Sequence, residues 1–146
     1  MFLSKPSPQE ITDYCKNTLS EHLGIEFTEV GDDYLVARMP VDQRTHQPLK
    51  MLNGGASCAL SETVGSMAAN LCLDRSQFVA LGLDINANHL KGVSTGFVFG
   101  KASPLHLGRR TQVWEIRITD EIGNLICISR LTMAIIPVTP ETMRVQ

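Results

Sequence analysis

The strongest constraint on this chain is residues 53–73, where Glu62 is the only charged side chain among Gly, Ala, Ser, Cys and a few large apolar residues. We expect one long helix over residues 54–72, with Asn53 as its N-cap, because Asn readily accepts a hydrogen bond from a free N–H group of the first turn. A helix this apolar is expected to be buried. A carboxylate without a partner costs several kcal/mol to desolvate, so Glu62 is either a structural ion-pair partner or a functional group.

The rest of the chain predicts a single antiparallel sheet. Ser7 and Glu10 form a capping-box pattern with Pro8 at the first helical position, which predicts a helix from residue 7 to about residue 20. Apolar runs separated by turn residues then predict strands over 25–30, 34–39, 78–90, 96–104, 110–119 and 124–136. Because strands joined by short turns are antiparallel, the expected class is α+β, with a curved antiparallel sheet wrapped around the central helix.

Composition narrows the class of protein. The 146 residues are 43% hydrophobic and 19% charged, which fits one globular domain that ends in a polar tail over 137–146. A net charge of −2 disfavours nucleic acid as a partner, and no apolar run is long enough to span a membrane. The four cysteines are scattered without metal-ligand spacing, so we expect free thiols, no metal and a cytoplasmic location.

Helical periodicity divides the central helix into two faces. At about 100° per residue, one narrow sector expected to pack on the sheet contains the large apolar residues Leu60, Val64, Met67 and Leu71. Glu62 falls on the other face, together with the smaller residues Cys58, Gly65, Ser66 and Ala69. Small side chains let a second backbone or a ligand approach closely. Ser66 is at i+4 from Glu62, within hydrogen-bonding reach.

Gly54 and Gly55 open the same helix. Such a start is typical of a tight turn and cap, and it also suits a site where free N–H groups face a ligand. Gly54 and Glu62 are eight residues apart, which is about 12 Å along a helix axis. One carbonyl group can hardly touch both in the same chain, so if both act on one substrate atom they come from two chains related by a twofold axis. We therefore predict a homodimer with shared active sites.

Further motifs, taken in chain order, carry a family resemblance. They are Val41-Asp42-x-Arg44-Thr45-x-Gln47-Pro48, Gly54-Gly55-Ala56-Ser57, Glu62-Thr63-x-Gly65-Ser66, Gly82-Leu83-Asp84-Ile85-Asn86-Ala87-Asn88-His89, Pro104-Leu105-His106-Leu107-Gly108-Arg109 and Gln112-Val113-Trp114-Glu115. This set resembles the hotdog-fold acyl-CoA thioesterases of the PaaI-like group. The resemblance is closest to the bacterial enzymes that hydrolyse 1,4-dihydroxy-2-naphthoyl-CoA and to the enterobactin proofreading thioesterases, and it spans residues 19–136.

The resemblance implies roles for the residues at matching positions. Glu62 acts as a nucleophile or as a general base on water, and the Gly54 N–H stabilises the oxyanion. Gln47 aligns the thioester or the water, and Ser66 supports Glu62. The substrate and coenzyme A contacts that the resemblance implies are Gly82, His89, Leu90, Lys91, Gly92, His106, Leu107, Gly108, Arg109, Arg110 and Thr111.

At Asn53 the chain departs from the family pattern, because most relatives have His immediately before the two glycines. Asn still caps the helix and donates hydrogen bonds, but it cannot carry a proton charge. Either Asn53 preserves carbonyl polarisation as a catalytic residue of a slower or retuned thioesterase, or the chain has moved to another substrate or lost activity.

Three functions follow from these expectations. The first is hydrolysis of an acyl-CoA or acyl-carrier-protein thioester with an aromatic acyl group, by a homotetramer that needs no metal or cofactor. The second is a hotdog dehydratase or hydratase acting on carrier-bound acyl chains, for which His89 is the one candidate partner of Glu62. The third is a non-catalytic acyl-CoA-binding protein, which the departure at Asn53 favours.

Overall fold

Three helices and six strands make up residues 2–140, the part of the chain that a computed structural model describes. The helices are α1 (Pro8–Tyr14), α2 (Leu19–His22) and α3 (Gly54–Leu71). The strands are β1 (Glu26–Val30), β2 (Leu35–Pro40), β3 (Phe78–His89), β4 (Phe97–Leu107), β5 (Thr111–Asp120) and β6 (Leu125–Pro137). Residues 141–146 of the predicted polar tail lie outside the described residues.

The strands form one sheet in the order β1-β2-β4-β5-β6-β3. Every neighbouring pair is antiparallel. The long helix α3 packs across this sheet and contacts β2, β3, β4, β5 and β6. The arrangement confirms the predicted α+β class with an antiparallel sheet around one long helix. The strand β3, 12 residues long, lies at one edge of the sheet.

Small residues dominate the face of α3 that packs on the sheet. Ser61 and Ala68 are fully buried, and the Ser61 hydroxyl lies 3.0 Å from that of Ser129 in β6. A Cβ atom built on Gly65 would lie 2.6 Å from Leu131 Cδ2. Gly65 therefore faces the sheet, and its predicted position on the Glu62 face of the helix is wrong. The predicted sector is therefore too narrow. The prediction considers only large side chains, whereas a helix can approach a sheet most closely where its side chains are small.

Most of the large residues predicted for this face also enter the core. Leu60, Val64 and Leu71 are buried as expected. Met67 is only half-buried. The core that these residues enter is closed on the sheet side by the fully buried indole of Trp114. The helix thus packs on the sheet over roughly half of its circumference. The other half, which carries Glu62, lies at the surface of the single chain.

The N-terminal helical region is interrupted where one continuous helix is predicted. The helix α1 ends at Tyr14, and a turn with Asn17 in the left-handed conformation (φ 61°) separates it from α2. Thr18 caps α2 by accepting a hydrogen bond from the Ser20 N–H. Asn and Thr both compete for backbone hydrogen bonds through their side chains, which explains the break.

The strand β4 continues beyond its predicted end at residue 104. It pairs with β2 only as far as Ala102, so Pro104 removes no hydrogen bond to that strand. A register shift between Pro104 and His106 accommodates the proline against β5. His106 and Leu107 are consequently strand residues, and only residues 108–110 form the turn into β5.

Gly65→Val should destabilise the fold, because the added side chain enters the contact between α3 and Leu131. Overpacking of this kind costs about 1–3 kcal/mol. Ala59→Val, at a half-buried position of the same helix, should cost only the lower helix propensity of Val, about 0.5 kcal/mol. Urea unfolding of both variants measures the difference. Equal losses would show that Gly65 does not set the distance between helix and sheet.

Candidate active site

The N-terminus of α3 is shaped by Asn53 and Gly54. The Asn53 side-chain oxygen accepts a hydrogen bond from the Gly55 N–H at 2.7 Å, which confirms the predicted N-cap. A Cβ atom on Gly54 would lie 2.8 Å from His89 Nε2, so the imidazole lies directly against the Gly54 backbone. His89, at the end of β3, thus covers the positive end of the helix. The Asn53 side chain borders a different cleft from the one that Gln47 lines.

Gln47 reaches this end of the helix from the loop that follows β2. The loop is held by Arg44, which donates to the Asp42 carboxylate at 2.6 Å. These hydrogen bonds from the Arg44 side chain and backbone lower the pKa of Asp42. The Gln47 N–H donates to the Met51 carbonyl at 2.8 Å, and the Gln47 side-chain oxygen accepts from the Leu49 N–H. Gln47 therefore stands in a tight turn that fixes its backbone.

A cavity of about 330 Å³ lies at this end of α3, and we call it the N-terminal cavity. It brings together the predicted site residues Gln47, Gly54, His89, Leu90, Lys91 and Gly92. The lining residues absent from the predicted site are Met51, Leu52, Ser57 and Ile126. Helical spacing could have identified Ser57, three residues after Gly54. Ile126 could not be identified in this way, because it arrives through the pairing of β3 with β6.

Glu62 lies in a second cavity, of about 400 Å³, which we call the Glu62 cavity. The Ser66 hydroxyl donates to Glu62 Oε1 at 3.0 Å, so the predicted i+4 contact is present. A Cβ atom on Gly82 would overlap Glu62 Oε1, so the carboxylate lies directly against the backbone of β3. Glu62 is half-buried and forms no ion pair among residues 2–140. The described residues therefore give no support to a purely structural ion-pair role.

Asn70 ties α3 to β3 beside the Glu62 cavity. Its amide nitrogen donates to the carbonyls of Ser66 at 2.9 Å and Ala80 at 3.1 Å. Its amide oxygen accepts from the Ala80 N–H at 3.0 Å. The side chain thus pairs with both backbone groups of Ala80, as a neighbouring strand would, and holds β3 next to Glu62. Asn70 is absent from the predicted site, although its i+4 spacing from Ser66 places it on the same side of the helix.

The predicted coenzyme A residues divide between the two ends of β3. Thr111 pairs with Ala134, which pairs in turn with Leu81, so the turn after β4 lies near Gly82. His89 lies at the opposite end of the strand, about 23 Å from Gly82 at the usual rise per residue. The two groups of predicted contacts therefore do not meet within one copy of the chain.

This division also separates the basic residues among those predicted contacts. Lys91 lines the N-terminal cavity, whereas Arg109 and Arg110 stand in the turn at the other end of the sheet. Within that turn, a Cβ atom on Gly108 would lie 2.5 Å from His106 Nε2, so His106 packs against the turn itself. One end of the molecule thus holds Gly54, Gln47 and Lys91, and the other holds Glu62 and residues 106–111.

The cysteines are free thiols. Cys15 and Cys127 are buried, and Cys58 and Cys72 are half-buried. Burial raises the pKa of the thiols of Cys15, Cys72 and Cys127, which favours their neutral form. Over residues 2–140, no group of three or more His, Cys, Asp or Glu side chains is placed to hold a metal ion. Over the same range, no helix combines the length and apolar character needed to cross a bilayer.

Comparison with known proteins gives consistent matches. A family model described as the thioesterase superfamily matches residues 49–127. The chain is 57% identical over 118 residues to the proofreading thioesterase EntH of Cronobacter turicensis, covering 81% of this chain and 85% of that protein. A crystal structure of a mutant thioesterase PA1618 from Pseudomonas aeruginosa matches with a TM-score of 0.92 and 46% identity, over 94% of this chain and 99% of that one. The thioesterase HI1161 from Haemophilus influenzae matches with a TM-score of 0.91 and 46% identity, over 93% and 94% of the two chains.

The sheet, the central helix and these matches together define a thioester hydrolase of the hotdog fold. The chain belongs to the thioesterase superfamily. The fold, the family and the enzyme class expected from the sequence motifs are thereby confirmed.

Asn53→Ala should destabilise the protein by about 1 kcal/mol, because the Gly55 N–H loses its acceptor at the start of α3. Asn53→Asp should retain nearly full stability, since a carboxylate also caps and is favoured at a helix N-terminus. Thermal and urea unfolding measure both. A loss in the Asp variant as large as that in the Ala variant would contradict the capping role.

Proposed function

We propose that the chain hydrolyses an aromatic acyl-CoA to the free acid and coenzyme A, at sites shared between two copies. The observation that carries the proposal is that Glu62 and Gly54 lie in different cavities of one chain. Ser66 donates a hydrogen bond to Glu62, which lies against Gly82, whereas Gly54 lies against His89. Thioester hydrolysis needs a base or nucleophile and a donor to the oxyanion. Each copy holds one carboxylate, on Glu62, and one N–H donor, on Gly54, and the two are too far apart to act on the same carbonyl.

In the proposed reaction the Gly54 N–H donates to the thioester carbonyl oxygen, where the helix N-terminus stabilises the developing negative charge. Glu62 either attacks the carbonyl carbon, forming an anhydride that water then opens, or takes a proton from the water that attacks. Both routes break the C–S bond, and the coenzyme A thiolate that leaves takes up a proton. Gln47 aligns the thioester or the water, and Ser66 keeps Glu62 in position.

The free edge of β3 supports the shared site. Asn70 occupies the backbone groups of Ala80, but the remainder of the edge, residues 82–89, has no partner strand among residues 2–140. An exposed strand edge is a template for pairing with a second strand. If two copies pair antiparallel about a twofold axis near residues 85–86, the Gly82 end of β3 in one copy lies beside the His89 end in the other. Since Glu62 rests on Gly82 and Gly54 on His89, this pairing brings the two cavities together.

The same pairing gathers the basic residues. The Arg109–Arg110 turn lies at the Gly82 end of β3, and Lys91 follows the His89 end. In a twofold pair, Lys91 of one copy therefore lies near the Arg109–Arg110 turn of the other. Lys and Arg side chains are suited to phosphate groups, and coenzyme A carries several. Their grouping supports CoA over a carrier protein as the leaving group.

The acyl group and the assembly are also part of the proposal. The motif resemblance supports an aromatic acyl group such as 1,4-dihydroxy-2-naphthoyl, and the similarity to a proofreading thioesterase supports thioester hydrolysis. Asn53 preserves the cap at the start of α3, where the Gly54 N–H lies, which supports retained but retuned activity. A homotetramer of two such dimers, acting in the cytoplasm without a metal or cofactor, remains the expected form.

Glu62→Gln should lower kcat at least about 100-fold, because the amide can neither attack nor accept a proton. Gly82→Ala should lower kcat by more than about tenfold, because its methyl group displaces the carboxylate. Gln9→Ala, at an exposed position of α1, is the control and should leave the rate unchanged. Thiol release from benzoyl-CoA measures all three. Turnover that survives Glu62→Gln would exclude the proposed mechanism.

Mixing two inactive variants tests whether the site is shared. Glu62→Gln and Gln47→Ala damage different cavities of one copy. In a mixed dimer, one site carries both defects and the other carries none. Random mixing of equal amounts makes about half of the dimers mixed, so activity should return to about a quarter of the wild-type value. No recovery after unfolding and refolding the mixture would indicate that each site is formed within one chain.

A further inference from the structure

The Glu62 cavity ends at a contact between two exposed side chains. Arg75, four residues after the end of α3, places its guanidinium over the ring of Tyr14 at 5.4 Å from the ring centre. The same group donates to the Tyr14 hydroxyl at 3.1 Å. Tyr14 is the last residue of α1, so the contact bridges the two helices. Arg75 forms no ion pair with a carboxylate among residues 2–140, which leaves the aromatic ring as the feature that orients it.

Another cavity, of about 530 Å³, lies on the far side of this contact. The N-terminal segment contributes Ser4, Lys5 and Pro6 to its lining, and the buried ring of Phe2, stacked 6.5 Å from that of Trp114, anchors this segment. Tyr14, Met67 and Arg75 line both this cavity and the Glu62 cavity. These three side chains therefore form the wall between the two spaces.

We propose that the Tyr14–Arg75 contact determines the length of acyl group that the enzyme accepts. Met67 lies five residues after Glu62, about 8 Å along the helix axis, so an acyl group whose carbonyl is at Glu62 meets the wall after one or two rings or a short chain. Beyond the wall, the second cavity is lined by the apolar residues Pro6, Ile11 and Leu71 on one side and by Ser4, Lys5 and Glu10 on the other. A longer alkyl chain could be buried against the apolar side. The contact keeps such a chain out. The inference rests on the proposed function because it places the thioester carbonyl beside Glu62.

Binding of thioether analogues of acyl-CoA tests the inference without requiring turnover. S-benzyl-CoA, S-hexyl-CoA and S-dodecyl-CoA lack the thioester carbonyl and cannot be hydrolysed, so their Kd values report only how the acyl position is filled. In the wild type, the dodecyl analogue should bind no more tightly than the hexyl one. In the double variant Tyr14→Ala with Arg75→Ala, the dodecyl analogue should gain at least about tenfold over the hexyl one, because its extra methylene groups can then be buried. Tyr14 is 60% exposed, so the fold should survive the change.

Tyr14→Phe is the matched control. It keeps the aromatic ring under the guanidinium and removes only the hydroxyl, so the ratio of the hexyl and dodecyl Kd values should stay close to that of the wild type. A ratio that is the same in the double variant and the wild type would overturn the inference, as would failure of all three analogues to bind. Failure of the proposed function is read separately, from the hydrolysis of benzoyl-CoA by wild type and Glu62→Gln. If the wild type does not hydrolyse benzoyl-CoA but the double variant still binds the dodecyl analogue more tightly, the proposed hydrolysis is refuted and the proposed role of the Tyr14–Arg75 contact is retained.

Discussion

The rest of the molecule depends on how closely α3 approaches the sheet. Gly65 places no side chain between the helix and Leu131, and Ser61 reaches Ser129 at the same depth. With small residues directed at the sheet, the helix is rotated so that Glu62 emerges at its rim and not in the core. The carboxylate therefore meets the backbone of β3 while keeping one side open to solvent, which avoids the large desolvation cost of a fully buried charge.

Folding of one chain yields two separate cavities along the same helix. The N-terminal cavity offers a helix dipole and backbone donors without a carboxylate, and the Glu62 cavity offers a carboxylate without such donors. A dimer that pairs the free edges of β3 would complete both at once and would remove more water from Glu62. Lower local polarity strengthens every charge–dipole interaction within a site. The chemistry proposed for the chain would thus be switched on by assembly, not by folding alone.

Local patterns in the sequence predict the central helix, the six strands and the contacts within that helix, but not the break between α1 and α2 or the full length of β4. The cap at Asn53 and the hydrogen bond from Ser66 to Glu62 follow from spacing, and both are present. Spacing within one helix does not indicate which cavity a side chain lines, because the cavities are formed by strands that are distant in the sequence. Lys91 and Arg109 illustrate this, since only the pairing of β3, β6 and β5 shows that they lie at opposite ends of a copy.

The contact of Asn70 with Ala80 has a consequence for the solubility of the single chain. A long edge strand with unsatisfied backbone groups invites indiscriminate strand addition and aggregation. Here an amide side chain closes the edge at one point, and a register shift between Gly82 and Asp84 distorts the strand just beyond it. A foreign strand could therefore not run along the whole edge. The single chain is thereby partly protected against amyloid-like stacking along this edge.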